Sequence, residues 1–347
     1  MAMNTRKLAL TLTALLGLAV SAFAQTTQTQ ATVARVTGTA TVTQADGTTT
    51  ALTAGMKVAQ GATITTGADG DVYLESHAGY VTSIKGDSVV TVDEISVVSE
   101  GGQVKEERTM LDLKSGNLVA KLDPRKKSVN NYQVRTPKGV AAARGTVFTV
   151  MFRGQKYSVA VVNGTVSIAP VNNYRGRSLS QWVFGGTRSA STVTAGQILT
   201  EGGTGNIQRN IFSLRSAAQT EADTRQLLAA AVATVALAAQ NNIGGTTAAE
   251  AQAVAKAVFA VAPGVAAQAA AIINKSGGDT SSTNPVIQAI RSEVPAAQQG
   301  AFDTSSTSGT FTTTTTTNLR GRARDITTTT TTTPQPIDPS TISRSNE

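Results

Sequence analysis

The sequence predicts a mainly β chain: a layered all-β domain, sandwich or roll, over residues 31–200, an Ala-rich α-helical region over 213–301 and a disordered Thr-rich tail over 302–347. Three observations carry that reading. Short alternating apolar segments recur between Gly, Asp and Asn turn residues from Ala31 to Leu199, the mark of half-buried strands. Ser213 to Ala301 is rich in Ala and Gln at helix-compatible spacing. Threonine runs at Thr312 to Thr317 and Thr327 to Thr333, followed by Pro334, Pro336 and Pro339, supply no apolar side chains to offset the entropy of ordering.

Ahead of the β region, Arg6 and Lys7 precede an apolar run from Leu8 to Val20, and Ala22-Phe23-Ala24 follows as a small-residue cleavage pattern. This is the tripartite layout of a secretory signal peptide over residues 1–24, cleaved before Gln25. The run would span about 20 Å as a helix, short of a roughly 30 Å hydrocarbon core. Leu227 to Ala239 is the nearest later approach to a membrane span and is no longer. The mature chain is therefore expected in the periplasm or the medium, with no transmembrane helix.

Composition narrows the chemistry. The 347 residues include no cysteine and one histidine, His77, which removes disulfides, thiol catalysis, lipid attachment through cysteine and any three-histidine metal site within one chain. Aromatic residues make up only 4%, so large anchoring side chains are few. The net charge of +8 is uneven: Lys121, Arg125, Lys126, Lys127, Arg135, Lys138 and Arg144 face only Asp123 between residues 121 and 144.

Along the β region, Thr32 to Thr43 alternates, Asp46-Gly47 marks a tight turn, and Ile64 and Val72 to Leu74 flank Gly67 to Gly70. Val89 to Val92 and Ile95 to Val98 continue the pattern. Met110 to Leu113 and Leu118 to Leu122 are separated by Lys114-Ser115-Gly116-Asn117, which reads as a hairpin turn. Val147 to Phe152 and Ser158 to Val162 are nearly continuous apolar strands, and Asn163-Gly164 before Thr165 to Ala169 reads as the strongest hairpin signal. Phe148, Val150 and Phe152 share one face while Val147 and Met151 share the other, so this strand should lie inside a layered structure. Trp182 to Phe184 and Val193 to Thr200 are expected to close the domain. In the helical region, Ala257 to Gln268 resembles Ala289 to Gln298, and Pro263 and Pro295 should each stop one helix and open the next. From Phe302 onward no core is expected.

One segment is more specific. Tyr132 to Val150 reads Y-Q-V-R-T-P-K-G-V-A-A-A-R-G-T-V-F-T-V. It meets every fixed position of the pattern V-R-T-P-x-G-x-A-x-x-R-G-T-x-F-x-V, and this stretch resembles the signature of the FecR domain family. Gly55 to Gly67 and Val159 to Val166 are similar to that family's flanking runs, so the resemblance covers about residues 31–200. It implies a periplasmic module of the kind found in transmembrane regulators of iron-uptake sigma factors. Those chains resemble a cytoplasmic sigma-binding segment, a membrane helix and this domain in series. Only seven residues precede the apolar run here, so direct sigma-factor control is not expected.

Site residues follow from both readings. Arg135, Thr136, Pro137, Gly139, Arg144, Gly145, Thr146 and Phe148 carry the family signature and are expected to be structural, with Arg135 and Arg144 locking the β layers together. Thr136-Pro137 should force an extended-then-turn path, and Gly139 should free the next backbone step. Lys121, Arg125, Lys126, Lys127 and Lys138 form the candidate surface for an anionic envelope polymer or lipid headgroup. Nucleic acid is disfavoured because few aromatics are present to stack on bases. His77 is expected in an ordinary surface or turn role, and Asp69 and Asp71 in a turn rather than a cation site. The sequence thus reads as a non-enzymatic binding or scaffolding module of the cell envelope without a cofactor, or alternatively as an extracytoplasmic signalling relay contacting a membrane protein.

Overall fold

The computed structural model describes residues 24–170, 191–200, 210–317 and 326–332, so residues 1–23, the expected strand at 182–184 and much of the tail lie outside the described residues. The strands begin with β1 (Gln25–Gln28), β2 (Ala31–Thr37), β3 (Ala40–Thr43), β4 (Thr49–Ala51) and β5 (Lys57–Val58). They continue with β6 (Thr63–Thr66), β7 (Asp71–Glu75), β8 (Tyr80–Ile84), β9 (Val89–Glu100) and β10 (Gln103–Leu122). A 3₁₀ turn at Pro124–Lys126 leads to β11 (Asn130–Arg135), β12 (Gly139–Ala143), β13 (Val147–Arg153) and β14 (Lys156–Asn163). β15 (Thr165–Pro170), β16 (Ser191–Thr194), β17 (Gln197–Thr200) and β18 (Ile211–Ser213) complete the β region.

These strands form two sheets that share β10. The first runs β4-β3-β6-β9-β10-β11-β12-β15-β16, with β1 beside the far half of β9. The second runs β5-β2-β7-β8-β10-β13-β14-β17-β18. Within both, only the β10–β11 pairing is parallel. The chain visits the sheets alternately, mostly two strands at a time, and so winds a flattened roll. Between the sheets lies a core that includes Val33, Ile64, Tyr80, Leu118, Tyr132, Phe148, Tyr157 and Val159. Aromatics are scarce in the chain, yet four of its tyrosines are fully buried in the roll, so the few anchors present sit where packing needs them.

Two turn signals act differently from their local reading. Lys114 to Asn117 is no hairpin: β10 runs unbroken from Gln103 to Leu122 and bends there, pairing with β9 and β11 before the bend and with β8 and β13 after it. Gly116 makes the bend with φ of +99°, and a Cβ on it would stand 2.1 Å from Ser88 Oγ. Asn163-Gly164 is no hairpin either. β14 belongs to the second sheet and β15 to the first, so this turn carries the chain around a corner of the roll. The true hairpin joins β13 to β14 through Gly154-Gln155, with Arg153 opposite Lys156. Gly154 at φ of +57° occupies the first central position, as a type II′ turn requires.

The second sheet is apolar on both faces because it is the middle layer. Phe148, Val150 and Phe152 face the roll's interior, as their alternation predicts, while Val147 joins a second core shared with the helices. That core takes Tyr73, Val81, Val119, Ala160 and Ile198 from the sheet. The helices are α1 (Leu214–Thr220), α2 (Ala222–Gln240), α3 (Ala248–Val261), α4 (Ala266–Lys275), α5 (Pro285–Arg291) and α6 (Ala296–Ser308). α2, which contains the apolar stretch Leu227 to Ala239, is buried almost all round, as expected of a helix in the middle of a core. Its alanines let neighbouring elements approach closely. Among the described residues no helix is long and apolar enough to cross a membrane.

Pro263 and Pro295 do separate successive helices, α3 from α4 and α5 from α6. The two copies of the repeat pack equivalent against equivalent, α3 on α5 and α4 on α6. The helical region runs past residue 301. Phe302 is fully buried and Ser305 and Ser306 are nearly so, because α6 needs an apolar stripe to hold it on α4. Beyond it, β19 (Phe311–Thr317) and β20 (Ile326–Thr332) pair antiparallel, with threonine opposite threonine from Thr312↔Thr331 to Thr316↔Thr327. The reading of that stretch as a disordered tail did not include this ribbon. β-Branched threonines favour extended backbone.

Gly116→Ala tests the shared strand. It combines a positive φ with a clash against Ser88, and is expected to lower stability by roughly 3 kcal/mol in urea unfolding; an unchanged midpoint would mean that β10 has no strict bend.

Candidate functional site

The signature residues meet at two turns of the roll. Thr136-Pro137-Lys138-Gly139 closes the β11–β12 hairpin: the Thr136 amide donates to the Gly139 carbonyl at 2.9 Å. Thr136 Oγ1 accepts from the Lys138 and Gly139 amides at 3.3 and 3.1 Å. Proline suits the first central position because its φ is already set. Gly139 is not there for conformational freedom, since its φ is not positive. It is needed because β15 passes so close that a Cβ would sit 2.9 Å from the Ala169 carbonyl oxygen.

Arg144-Gly145-Thr146 turns the next corner. Gly145 has φ of +64°, and a Cβ there would stand 2.6 Å from Pro124 Cα. The Thr146 hydroxyl is shared between the carbonyls of Arg144 and Thr165, both at 3.2 Å, and the Thr146 carbonyl accepts from the Leu122 amide at 3.0 Å. Three crossings of the roll are thus tied at one threonine. Arg144 is half-buried beside it. Phe148, fully buried, meets the Tyr132 ring edge-on at 6.1 Å between centroids, and the Tyr132 hydroxyl pairs with Thr82 Oγ1 at 2.7 Å. Tyr132 belongs to the first sheet and Thr82 and Phe148 to the second, so this trio spans the core between the sheets.

The ion pairs of Arg135 lie within the first sheet. Its Nη2 lies 2.7 Å from Asp112 Oδ2 on β10 and 2.5 Å from Asp93 Oδ2 on β9. Asp93 reaches it because β9 bulges there: Val92 faces Leu111 and Glu94 faces Met110, leaving Asp93 as the extra residue. Lys114 pairs with the same Asp112 carboxylate. Burial pushes the Asp112 carboxyl up, but hydrogen bonds from Arg135 and Lys114 outweigh it and hold the group below its usual range. In Asp93 burial wins over the Arg135 charge, with Asp112 repelling as well, and the carboxyl is raised.

The basic stretch does not form one surface. Lys121 is 3% exposed on the face of the second sheet that meets the helices, where its Nζ lies 3.0 Å from Glu250 Oε1. The same Glu250 carboxylate accepts from the Thr247 amide at 2.9 Å and completes the capping box of α3. Lys121 therefore clamps the helical layer and is no part of an exposed anion site. A buried ammonium must be paired, and the helix supplies the pair. Arg125 is exposed but forks onto Asp123, 2.8 Å from Nη2 to Oδ2, and this holds the Asp123 carboxyl below its usual range. Lys126 bonds both oxygens of Glu107 at 2.9 and 3.2 Å and lies over the Tyr80 ring. Among the described residues Lys127 and Lys138 are the two members of the candidate set with no carboxylate in ion-pair range.

His77 sits in the turn between β7 and β8, where its carbonyl accepts from the Tyr80 amide at 2.9 Å, but its side chain is buried instead of lying on the surface. Its Nε2 donates to the Arg108 carbonyl at 3.0 Å and its ring meets Tyr80 edge-on; burial lowers its pKa. Asp69 caps Thr39 and Asp71 pairs with Ser83 and Lys85, each within a turn or strand end. Among the described residues no group of three His, Asp or Glu side chains is placed to hold a metal ion. Residues that sequence reasoning passed over include Asp93, Asp112, Glu107 and Glu250, the acids that neutralise the basic stretch from afar. Thr247 to Glu250 carried a legible signal, a T-x-x-E box ahead of an apolar helical run.

Two outcomes follow. Arg135→Met should cost about 1–2 kcal/mol at pH 7. A carboxyl held low contributes stability above its unfolded value near 4 and loses it as pH falls through the folded value, so the deficit should shrink toward pH 3. A deficit that grows on acidification would contradict this pairing. Glu250→Ala should cost about 2–4 kcal/mol through the lost cap and the stranded Lys121, and adding Lys121→Met should recover part of it; strictly additive losses in urea unfolding would argue against the clamp.

Residues 62–167 match the family model described as FecR protein. No curated protein matches the sequence. Two crystal structures of a "putative anti-sigma factor" from Parabacteroides distasonis ATCC 8503, at 1.65 and 2.50 Å resolution, are similar at 11% identity with TM-scores of 0.31 and 0.30. The similarity covers 46% of this chain and 65% and 64% of theirs, less than two thirds of their length. The stretch from just before β6 to within β15, which contains every residue of the signature, is a FecR domain.

Proposed function

We propose that this protein is a non-enzymatic FecR-type signalling module that works outside the cytoplasm by docking to another protein of the cell envelope. The FecR match over residues 62–167 carries the reading, because it takes in the centre of both sheets. The signature residues there hold turns, corners and the inter-sheet contact, so the domain offers other proteins a rigid surface. Export rests on the layout of residues 1–24, with Arg6 and Lys7, the apolar run and Ala22-Phe23-Ala24.

The basic stretch favours protein docking over an anionic polymer. Lys121, Arg125 and Lys126 are each paired with a carboxylate of this same chain, which leaves little unneutralised charge to attract a polyanion. Val104 near the tip of the β9–β10 ribbon and Phe212 on the edge strand β18 are the large apolar side chains that remain exposed among the described residues.

The test is photo-cross-linking in intact cells from an artificial side chain at Val104 or Phe212, with the mature N-terminus determined on the same material. A discrete adduct with one envelope protein and a chain starting at Gln25 are the expected results. Absence of any adduct from either position would sink the docking reading, and a cytoplasmic chain retaining residues 1–24 would sink export.

A further inference from the structure

We propose that the threonine ribbon joins two copies of this chain, with β20 of one pairing antiparallel to β20 of the other about a two-fold axis. β19 lies against α4 and α6, and β20 pairs along it from Ile326 to Thr332. Among the described residues no strand pairs with the other edge of β20. An open edge presents a row of N–H and C=O groups to any strand that can reach it. A ribbon of two strands is also marginal in water, and further strands are what make such a sheet stable.

The edges of the roll show how this chain treats strands that it leaves unpaired on one side. β4 has three residues, β5 two, β16 four and β18 three, and edges so short offer little to a second chain. β20 has seven. Its sequence, I-T-T-T-T-T-T, contains no charge, glycine or proline, and every residue is β-branched. Lysine, proline or a bulge is the usual means of blunting an edge. None is present, and the register from Phe311↔Thr332 to Thr317↔Ile326 runs without a shift. An uncharged segment of this length, rich in β-formers, has the composition that self-associates.

The occupant follows from the strand itself. Thr327 to Thr332 reads the same in both directions, so an antiparallel copy sets threonine opposite threonine, the pairing that β19 and β20 already make. The chain that follows is a poor cover for this edge, because Pro334, Pro336 and Pro339 lack the N–H that a pairing strand donates. Charge selects the direction. The connector between the strands holds Arg320, Arg322 and Arg324 against Asp325. Parallel pairing would bring the two connectors together. Antiparallel pairing sets them at opposite ends of a strand about 20 Å long, beyond a Debye length of about 8 Å at physiological salt. A strand paired with its own antiparallel copy makes an isologous contact, which closes at two chains. Neither Val104 nor Phe212 takes part, so this contact does not rest on the docking reading above.

The test is analytical ultracentrifugation of the full mature chain over a range of concentrations. A reversible monomer–dimer equilibrium is expected. Thr328→Lys combined with Thr330→Lys brings two ammonium groups from each copy to the seam and should weaken the dimer about ten-fold or more. A second measurement uses the absence of cysteine from the chain. Neighbouring strands lie within disulfide reach, so Thr329→Cys or Thr330→Cys should link two copies under mild oxidation, whereas Val104→Cys should not. A monomer at every concentration, a dimer that the lysine pair leaves unchanged, cross-linking from β20 no greater than from Val104, or growth beyond two copies would each overturn the proposal.

Discussion

A single strand that belongs to both sheets is the constraint on which the rest depends. β10 pairs with β9 and β11 in the first sheet, bends at Gly116, and pairs with β8 and β13 in the second. The bend is possible only because Gly116 takes a positive φ and lets Ser88 approach where a side chain would otherwise stand. Ser88 then receives the Asn117 amide on its hydroxyl at 3.0 Å and donates to the Asn117 carbonyl at 3.2 Å, so the kinked backbone remains hydrogen-bonded. At the strand's far end Lys121 reaches Glu250. One continuous backbone thus relates the first sheet, the second sheet and the helices.

The FecR signature is legible as architecture. Its threonines satisfy backbone groups at the turns, Gly139 and Gly145 mark the two places where neighbouring backbone comes too near for a Cβ, and Phe148 closes on Tyr132 across the core. The arginine whose role can be traced, Arg135, neutralises two carboxylates that neighbouring strands bring together, one of them through a bulge. Thr136, Pro137, Gly139, Gly145, Thr146 and Phe148 each answer a geometric demand of the roll.

The helical layer changes what the β domain exposes. Covering the outer face of the second sheet buries Val119, Val147 and Ala160, and with them Lys121, whose charge α3 meets with the carboxylate that also caps it. The margin of this interface does not close fully, and polar side chains from both layers line the space that remains. Sheet and helices accordingly form one packed structure through a shared apolar core.

Sequence by itself determined the class of the β and helical regions, the layered nature of the β domain and the family signature, because alternation, helical spacing and turn residues are local properties of a chain. The faces of β13 were legible for that reason, as were the helix boundaries at Pro263 and Pro295. It did not determine where the turns lead. Asn163-Gly164 and Lys114 to Asn117 are true changes of direction, yet whether a strand folds back beside its predecessor, crosses to the other sheet or merely bends depends on which distant strand offers free hydrogen-bonding edges. Nor did it determine the fate of the basic stretch. Spacing shows that seven cations gather between residues 121 and 144, but Asp93, Asp112, Glu107 and Glu250 reach them from other strands and from a helix. Only the tertiary structure brings those acids near, and since charge attraction acts through space, the sequence's apparent surface became internal pairing.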